Sequence, residues 1–388
     1  MEYSDAKVGA VRPREGMEQG LSPHLLVAVS GHGYGHFAQV APVLNALHAA
    51  VPGLRLTLRT PLPREYLASR LAMPFAWQPA EDDIGMVQRD ALEVDVPASM
   101  ARYRTLHGEW EERVQRVAGE LAAVRPDLVL ADVPYLTLAA AGRAGIPALA
   151  MCCLNWLDIF RHYGGGEPMA GTILAQMREA YASAALFLRT EPAMPMPELG
   201  NVRDIGVVAA AAGSRRGALE AAGRVGPGES LLLVAMGGIA HRLPVERWPQ
   251  QAGLRYLLPG AWNIRREDTI VIEETGLTFS ELLASCDAVL TKPGYGTFTE
   301  AAVNGIPVLY VARRDWPEQP WLIAWLARHG RCSEVSADAL ARGAFLDAVR
   351  ELAQGGRPPA VAADGVAMAV EAIRGMLPAR PKAHVPLP

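Results

Sequence analysis

The segment Leu290 to Leu309, LTKPGYGTFTEAAVNGIPVL, joins an apolar run to a helical pattern through a glycine-rich turn. Few arrangements accept that order of residues. Glycine lets backbone N–H groups approach an anion, and the helix that follows adds unpaired donors and positive potential at its N-terminus. Glu300, just inside the helix, stands where a carboxylate can take two ribose hydroxyls. Such a turn suits a nucleotide diphosphate. Near the other end, Leu25 to Leu47 (LLVAVSGHGYGHFAQVAPVLNAL) repeats strand, glycine turn and helix, with His32 and His36 in the turn. Two such halves imply a cleft between them.

A chain of 388 residues exceeds the usual size of one hydrophobic core, so two domains are expected. With 50% hydrophobic residues, 20% charged residues and a formal net charge of -4, the composition is that of an ordinary soluble protein. The slightly acidic balance and dispersed arginines give no support for a nucleic-acid surface. Cys152 and Cys153 are neighbours, Cys286 and Cys332 stand apart, and no CxxC pair occurs. Reduced core thiols are therefore expected rather than a disulfide framework or a zinc site. The first 23 residues lack the apolar core of a signal peptide. No apolar run reaches the ~18 residues of a spanning helix. A cytoplasmic protein is the expectation, and oligomeric state is not encoded in any pattern.

Residues 1–22 read as a disordered lead, because charge and glycine interrupt every periodicity there. Strands are expected at Leu25–Val29, Leu54–Leu58, Leu128–Ala131 and Ala148–Met151. Helices are expected at Phe37–Ala50, Thr105–Val124 and Leu136–Ala144. Around Asn201 to Gly228 alanine, glycine and Pro227 replace the rhythm. The boundary falls there: a first domain over 23–210, a linker over 211–227 and a second domain over 228–377. The second domain restarts with Leu231–Met236, Thr269–Ile272, Ala288–Leu290 and Pro307–Val311 as strands. Helices follow at Ser280–Ala284, Thr297–Asn304 and, closing the domain, Ala360–Leu377, with a loose tail over 378–388. Alternating strands and helices make both halves α/β with parallel, doubly wound sheets.

GHGYGH at Gly31–His36, Gly237 with Gly238, and KPGYGTFTEA at Lys292–Ala301 resemble the glycine loops and donor-nucleotide motif of GT-B glycosyltransferases, the class of the UDP-glycosyltransferases and the bacterial MurG type. A more detailed resemblance, over roughly His24 to Arg331, is to the glycosyltransferase-like N-terminal region of plant L-arabinokinases and related free-standing bacterial proteins. It rests on GHGYGH, on DIGMVQRDALEVD at Asp83–Asp95, on PDLVLADVP at Pro126–Pro134, on PMP at Pro195–Pro197, and on KPGYGTFTEA followed by RRDWPEQPWL at Arg313–Leu322. The galactokinase-like half of arabinokinases has no counterpart here, so the resemblance does not imply a kinase. It implies α/β GT-B architecture, two Rossmann-like doubly wound domains with an interdomain cleft.

Inverting sugar transfer needs a base for the acceptor hydroxyl, and a neutral imidazole serves near pH 7. The resemblance gives that role to His36. His32 is the second candidate, as a base or as a phosphate contact with Gly33 beside it. Asp132 ends a buried strand, where open parallel sheets place their sites, and the resemblance makes it the carboxylate that orients His36; a helix or turn cap is the other reading. Gly294, Tyr295, Gly296 and Thr297 are assigned to the donor diphosphate, Glu300 to ribose, and Lys292 to the opposing charge. Gly237 and Gly238 form a second phosphate-facing turn, with His241 and Arg242 nearby. Glu318 and Gln319 resemble the acidic residue and glutamine that hold donor-sugar hydroxyls. Arg313 and Arg314 upstream leave two readings open, an unusual and perhaps acidic donor sugar or a surface network with Asp315 and Glu318. Trp321 and Trp325, four apart, have the spacing of a core stripe, whereas Trp316 belongs to the same loop. Asp82, Asp83 and Asp90 show no tight metal-ligand spacing, and no metal is expected.

The resemblance thus implies a metal-independent, inverting glycosyltransferase without a cofactor, whose partners are a small-molecule nucleotide sugar, UDP-linked, and an acceptor that no motif identifies. A nucleotide-sugar hydrolase and a non-catalytic sugar-nucleotide sensor are the alternatives.

Overall fold

The computed structural model describes residues 22–238 and 241–378. The expected disordered lead and loose tail fall almost wholly outside the described residues.

Among the described residues thirteen strands form two sheets. The first contains β1 (His24–Val29), β2 (Arg55–Arg59), β3 (Ala76–Gln78), β4 (Leu128–Asp132), β5 (Ala148–Cys152), β6 (Leu186–Glu191) and β7 (Val202–Val207) in the order β3-β2-β1-β4-β5-β6-β7. The second contains β8 (Ser230–Ala235), β9 (Leu254–Leu258), β10 (Thr269–Val271), β11 (Ala288–Thr291), β12 (Val308–Tyr310) and β13 (Cys332–Glu334) in the order β10-β9-β8-β11-β12-β13. Every pairing between them is parallel. Parallel strands need crossover helices on both faces, which is why the central strands read as unbroken apolar runs: all of β1 and β4 is buried.

Three apolar clusters follow. One joins a face of each sheet through the interface, and each remaining face has its own. The fold class read from the sequence is the fold observed.

Four elements depart from the expected pattern. The single helix expected over Thr105–Val124 is two, Val96–Gly108 and Trp110–Val124, broken at Glu109 (φ -108°, ψ 21°) directly after a glycine. The alanine- and glycine-rich stretch from Asn201 begins with β7, an edge strand that completes the first sheet. The segment 211–227, expected as an interdomain linker without an element of its own, contains helix Arg216–Ala221, and Leu219 and Val225 are buried. The closing helix, Gly365–Met376, lies on the first sheet instead of the second, burying Ala369 and Ile373 among Leu25, Val43 and Leu47. The chain therefore crosses between the lobes twice. Its apolar spacing specified an amphipathic helix but carried no address for the surface it would cover.

Truncating Ile373 to Ala should destabilise the first lobe by about 2–5 kcal/mol, the usual cost of an emptied aliphatic core position. The exposed Glu371→Ala should stay within ~0.5 kcal/mol of wild type. Denaturant unfolding of the two variants measures the difference, and equal midpoints would show that the helix does not contribute to that core.

Candidate active site

In each sheet the strand order reverses once, between β1 and β4 and between β8 and β11. Connections leave such a switch point in opposite directions, so a crevice opens at the carboxyl ends of the two strands. Val29 pairs with Asp132 at the first, and Ala235 with Thr291 at the second. Both crevices open onto one cavity of about 900 Å³, lined by His32, Gly33, His36, Gly237, Gly238, Lys292, Gly294 to Thr297, Glu300, Arg313 and Glu318 among others.

On the first lobe, Gly33 (φ 79°) turns the chain out of β1 into helix Gly35–Ala50, whose first turn carries His36. The His36 Nδ1–H donates to Asp132 Oδ1 at 2.8 Å, and both residues are buried. Cys152 Sγ lies 3.7 Å from the same nitrogen. Burial is the largest influence and works against the charged imidazole, but the hydrogen bond to Asp132, the contact with Cys152 and the Asp132 charge together outweigh it and hold the His36 pKa well above 6.5. With Nδ1 committed, Nε2 is the nitrogen left for the cavity.

His36, Asp132 and Cys152 also offer ligand-type atoms within 4.8 Å of one another. The 2.8 Å contact is a hydrogen bond. Two nitrogen or oxygen ligands of one tetrahedral zinc would sit about 3.3 Å apart. The acidic stretch expected not to bind metal is tied to protein partners: Asp82 pairs with Arg59 and accepts from Thr137, and Asp83 accepts from Ser30 and Trp156.

On the second lobe, Gly237 (φ 83°) makes the turn after β8, and Gly294 caps helix Tyr295–Val303. The N–H groups of Tyr295, Gly296 and Thr297 occupy the first turn, where no helical carbonyl precedes them. Lys292 sits between the two turns: a Cβ on Gly237 would stand 3.7 Å from its Nζ, and one on Gly294 3.9 Å. Burial, reinforced by the charge of Arg313, lowers the Lys292 pKa to about 8. Glu300 is buried beneath, its Oε1 accepting from Arg70 Nη1 of the first lobe at 2.7 Å, while Oε2 has no partner. Burial raises its pKa against the pull of Arg70.

Other assignments come out differently. His32 lines the cavity, but its ring is stacked on Trp316 at 5.3 Å, its Nε2 accepts from Gln88 at 2.9 Å, and it is bonded to the Met86 backbone. Burial, with the charges of His36, Arg313 and Lys292, keeps it neutral. No nitrogen remains for phosphate. The Tyr295 hydroxyl accepts from Val208 N–H and donates to the Glu191 carbonyl, so only its backbone faces the cradle. Gln319 spends its amide on the backbone of Arg313, and Arg242 is held by the Trp262 carbonyl and Glu246; neither reaches the cavity wall. His241 stands 3.9 Å from Asp90 and is likewise absent from that wall. Glu318 is buried and accepts from Cys153 Sγ and Trp316 Nε1. Trp325 is buried, whereas Trp321 is exposed, so the expected stripe is half core.

Residues the motifs did not single out complete the walls. Tyr34 packs against Gly238, where a Cβ would stand 2.5 Å from its ring, and stacks on Tyr66. Arg70 lies between Tyr66 and Phe279. Tyr34 and Gln88 fall inside the quoted motifs; Arg70 has no local signal, because its partner is 230 residues away.

Two facing Rossmann-like lobes with both switch points on a shared cleft define the GT-B fold. Solved structures agree with that fold. A UDP-glucosyltransferase from Polygonum tinctorium superposes with a TM-score of 0.55 at 16% identity, covering 91% of this chain and 98% of that one. The calicheamicin glycosyltransferase CalG4 gives 0.58 at 16% identity, covering 92% and 98%. The glycosyltransferase VinC, solved with dTDP, gives 0.54 at 15% identity, covering 91% and 94%. By sequence, the chain is similar to the L-arabinokinase of Arabidopsis thaliana, 27% identical over 310 residues. That match takes in 78% of this chain but spans only 29% of the length of the plant protein. No protein-family model matches the chain. No helix among the described residues is long and apolar enough to cross a membrane.

The dyad makes a titration testable. The His36 pKa is raised in the folded state, so its contribution to stability is full below about pH 6.5, the unfolded value, and is lost as pH rises through the folded pKa. In Asp132→Asn the supporting charge is gone and burial is opposed only by weaker contacts such as that with Cys152, so an NMR titration should find the His36 pKa shifted down and the loss of stability with rising pH diminished. An unchanged His36 titration would contradict the dyad.

Proposed function

We propose that the chain is an inverting, metal-independent glycosyltransferase that moves a sugar from a UDP-linked donor to an acceptor hydroxyl. The observation that carries this reading is the opposition, across one cavity, of the His36–Asp132 pair and the cradle formed by Gly237, Lys292 and the first turn of helix Tyr295–Val303. The fold shared with a UDP-glucosyltransferase supports it.

The donor diphosphate lies against the helix N-terminus, whose N–H groups and Lys292 face its charge. The ribose takes Glu300 Oε2, the oxygen that Arg70 leaves without a partner. The acceptor enters over the first lobe. Its hydroxyl proton passes to His36 Nε2 as its oxygen bonds to the anomeric carbon; the bond from that carbon to the phosphate oxygen breaks, and its electron pair leaves with the diphosphate. Asp132 stabilises the imidazolium so formed. The lobes exclude water from the cleft and hold the two reactants in line.

Thermal-shift measurements with UDP, GDP, dTDP and their sugars test donor binding, since a ligand of the folded state raises the midpoint. UDP and its sugars should shift it; no shift with any nucleotide would remove the reading. His36→Ala should keep the shift and reduce UDP release with a panel of acceptor alcohols by at least ~10²-fold, the usual share of a general base. Wild-type kcat/KM should rise with pH through the raised His36 pKa, because only neutral imidazole accepts the proton. Free sugar released as fast without an acceptor as with one would identify water as the acceptor and the protein as a hydrolase.

A further inference from the structure

Resting on that reading, we propose that the donor sugar is a uronic acid and that Arg313 binds its carboxylate. Arg313 is 4% exposed and lines the cavity, and its Nε is buried without a hydrogen-bond partner. Its Nη2 donates to the neutral Gln88 side chain at 3.0 Å, its guanidinium lies 4.0 Å from the centre of the Trp316 ring, and no carboxylate among the described residues pairs with it. A buried charge that no carboxylate contacts directly is costly, and natural proteins pair such groups. Glu318 and Asp90 act on its charge without an ion-pair contact, and the two oxygens of Glu318 face Cys153 and Trp316. The missing anion is therefore supplied by a ligand.

The diphosphate is not that anion. Its charge is met at the turns after β8 and β11, where Lys292 stands within reach of Gly237 and Gly294. Arg313 follows β12, the next strand in the sheet, and its backbone is clamped in place by the Gln319 amide. A sugar attached to a diphosphate at β8 and β11 continues along the sheet edge toward β12. Its substituent there meets a guanidinium whose planar fork fits a carboxylate. The position on the donor lobe assigns the carboxylate to the donor sugar and not to the acceptor.

Titration calorimetry of the full chain with UDP, UDP-glucose, UDP-glucuronate and UDP-galacturonate tests this. Wild type should bind one or both UDP-hexuronates at least ~10-fold more tightly than UDP-glucose, the discrimination expected of a charge-assisted bidentate contact. Arg313→Gln should erase the preference while leaving UDP affinity within about twofold. Arg313→Lys, which keeps the charge without the fork, should retain part of the preference and guards against a folding defect in the first variant. UDP binding with no preference among the sugars in wild type would overturn the inference and leave the transferase reading standing. Arg313→Gln losing UDP as strongly as UDP-hexuronate would assign Arg313 to the diphosphate and also overturn it. In a further arm with UDP plus free glucuronate, Arg313-dependent binding of the free acid alone would move the carboxylate to the acceptor. No binding of UDP at all would remove the transferase reading and this inference with it.

Discussion

Parallel pairing governs this molecule. A sheet of parallel strands must send its connections over one face or the other, and where the direction changes two neighbouring loops part. The register fixes what stands there. Val29 opposite Asp132 puts the loop bearing His36 beside a carboxylate, and Ala235 opposite Thr291 puts Gly237 beside Lys292. A slip of one residue in either register would turn these side chains to the other face of the sheet.

Charge then decides how the two crevices meet. Helices Gly35–Ala50 and Tyr295–Val303 approach so closely that a Cβ on Gly296 would stand 3.3 Å from that of Ala38. Around that contact, buried polar groups of one lobe find partners on the other: Arg70 with Glu300, Cys153 with Glu318, Gln88 with Arg313, and Trp325 with Glu191. Unpaired, each would carry a desolvation cost. Polar complementarity thus adds to the apolar cluster that runs through the interface, and three buried atoms left without a partner, Glu300 Oε2, Asp132 Oδ2 and Arg313 Nε, belong to residues at the cleft.

Much of this was legible in the sequence because the relevant signals are local. A glycine turn between an apolar run and a helical pattern specifies the strand, the loop and the helix N-terminus at once, so His36, Lys292, the Gly294 turn and Glu300 could be placed from spacing and resemblance. Asp132 was readable as the last residue of a buried strand. What escaped depends on tertiary contacts, most of them distant in sequence. The destination of helix Gly365–Met376 is set by a groove on the other lobe. The orientation of Gln319 depends on the backbone it braces, and that of His32 on Trp316 and Gln88. Short strands with no fully buried residue, such as Ala76–Gln78 and Cys332–Glu334, also left no periodic trace.

The second crossing of the chain has a mechanical result. A pair of bodies tied by one tether can swing and twist freely, but two separate ties leave chiefly rotation about the line that joins them. Here the ties are residues 208–229 and the return path that ends in helix Gly365–Met376. Any relative movement of the lobes would thus be confined chiefly to rotation about that line, like a door on two pins, which limits how far His36 and Lys292 could lose their mutual alignment.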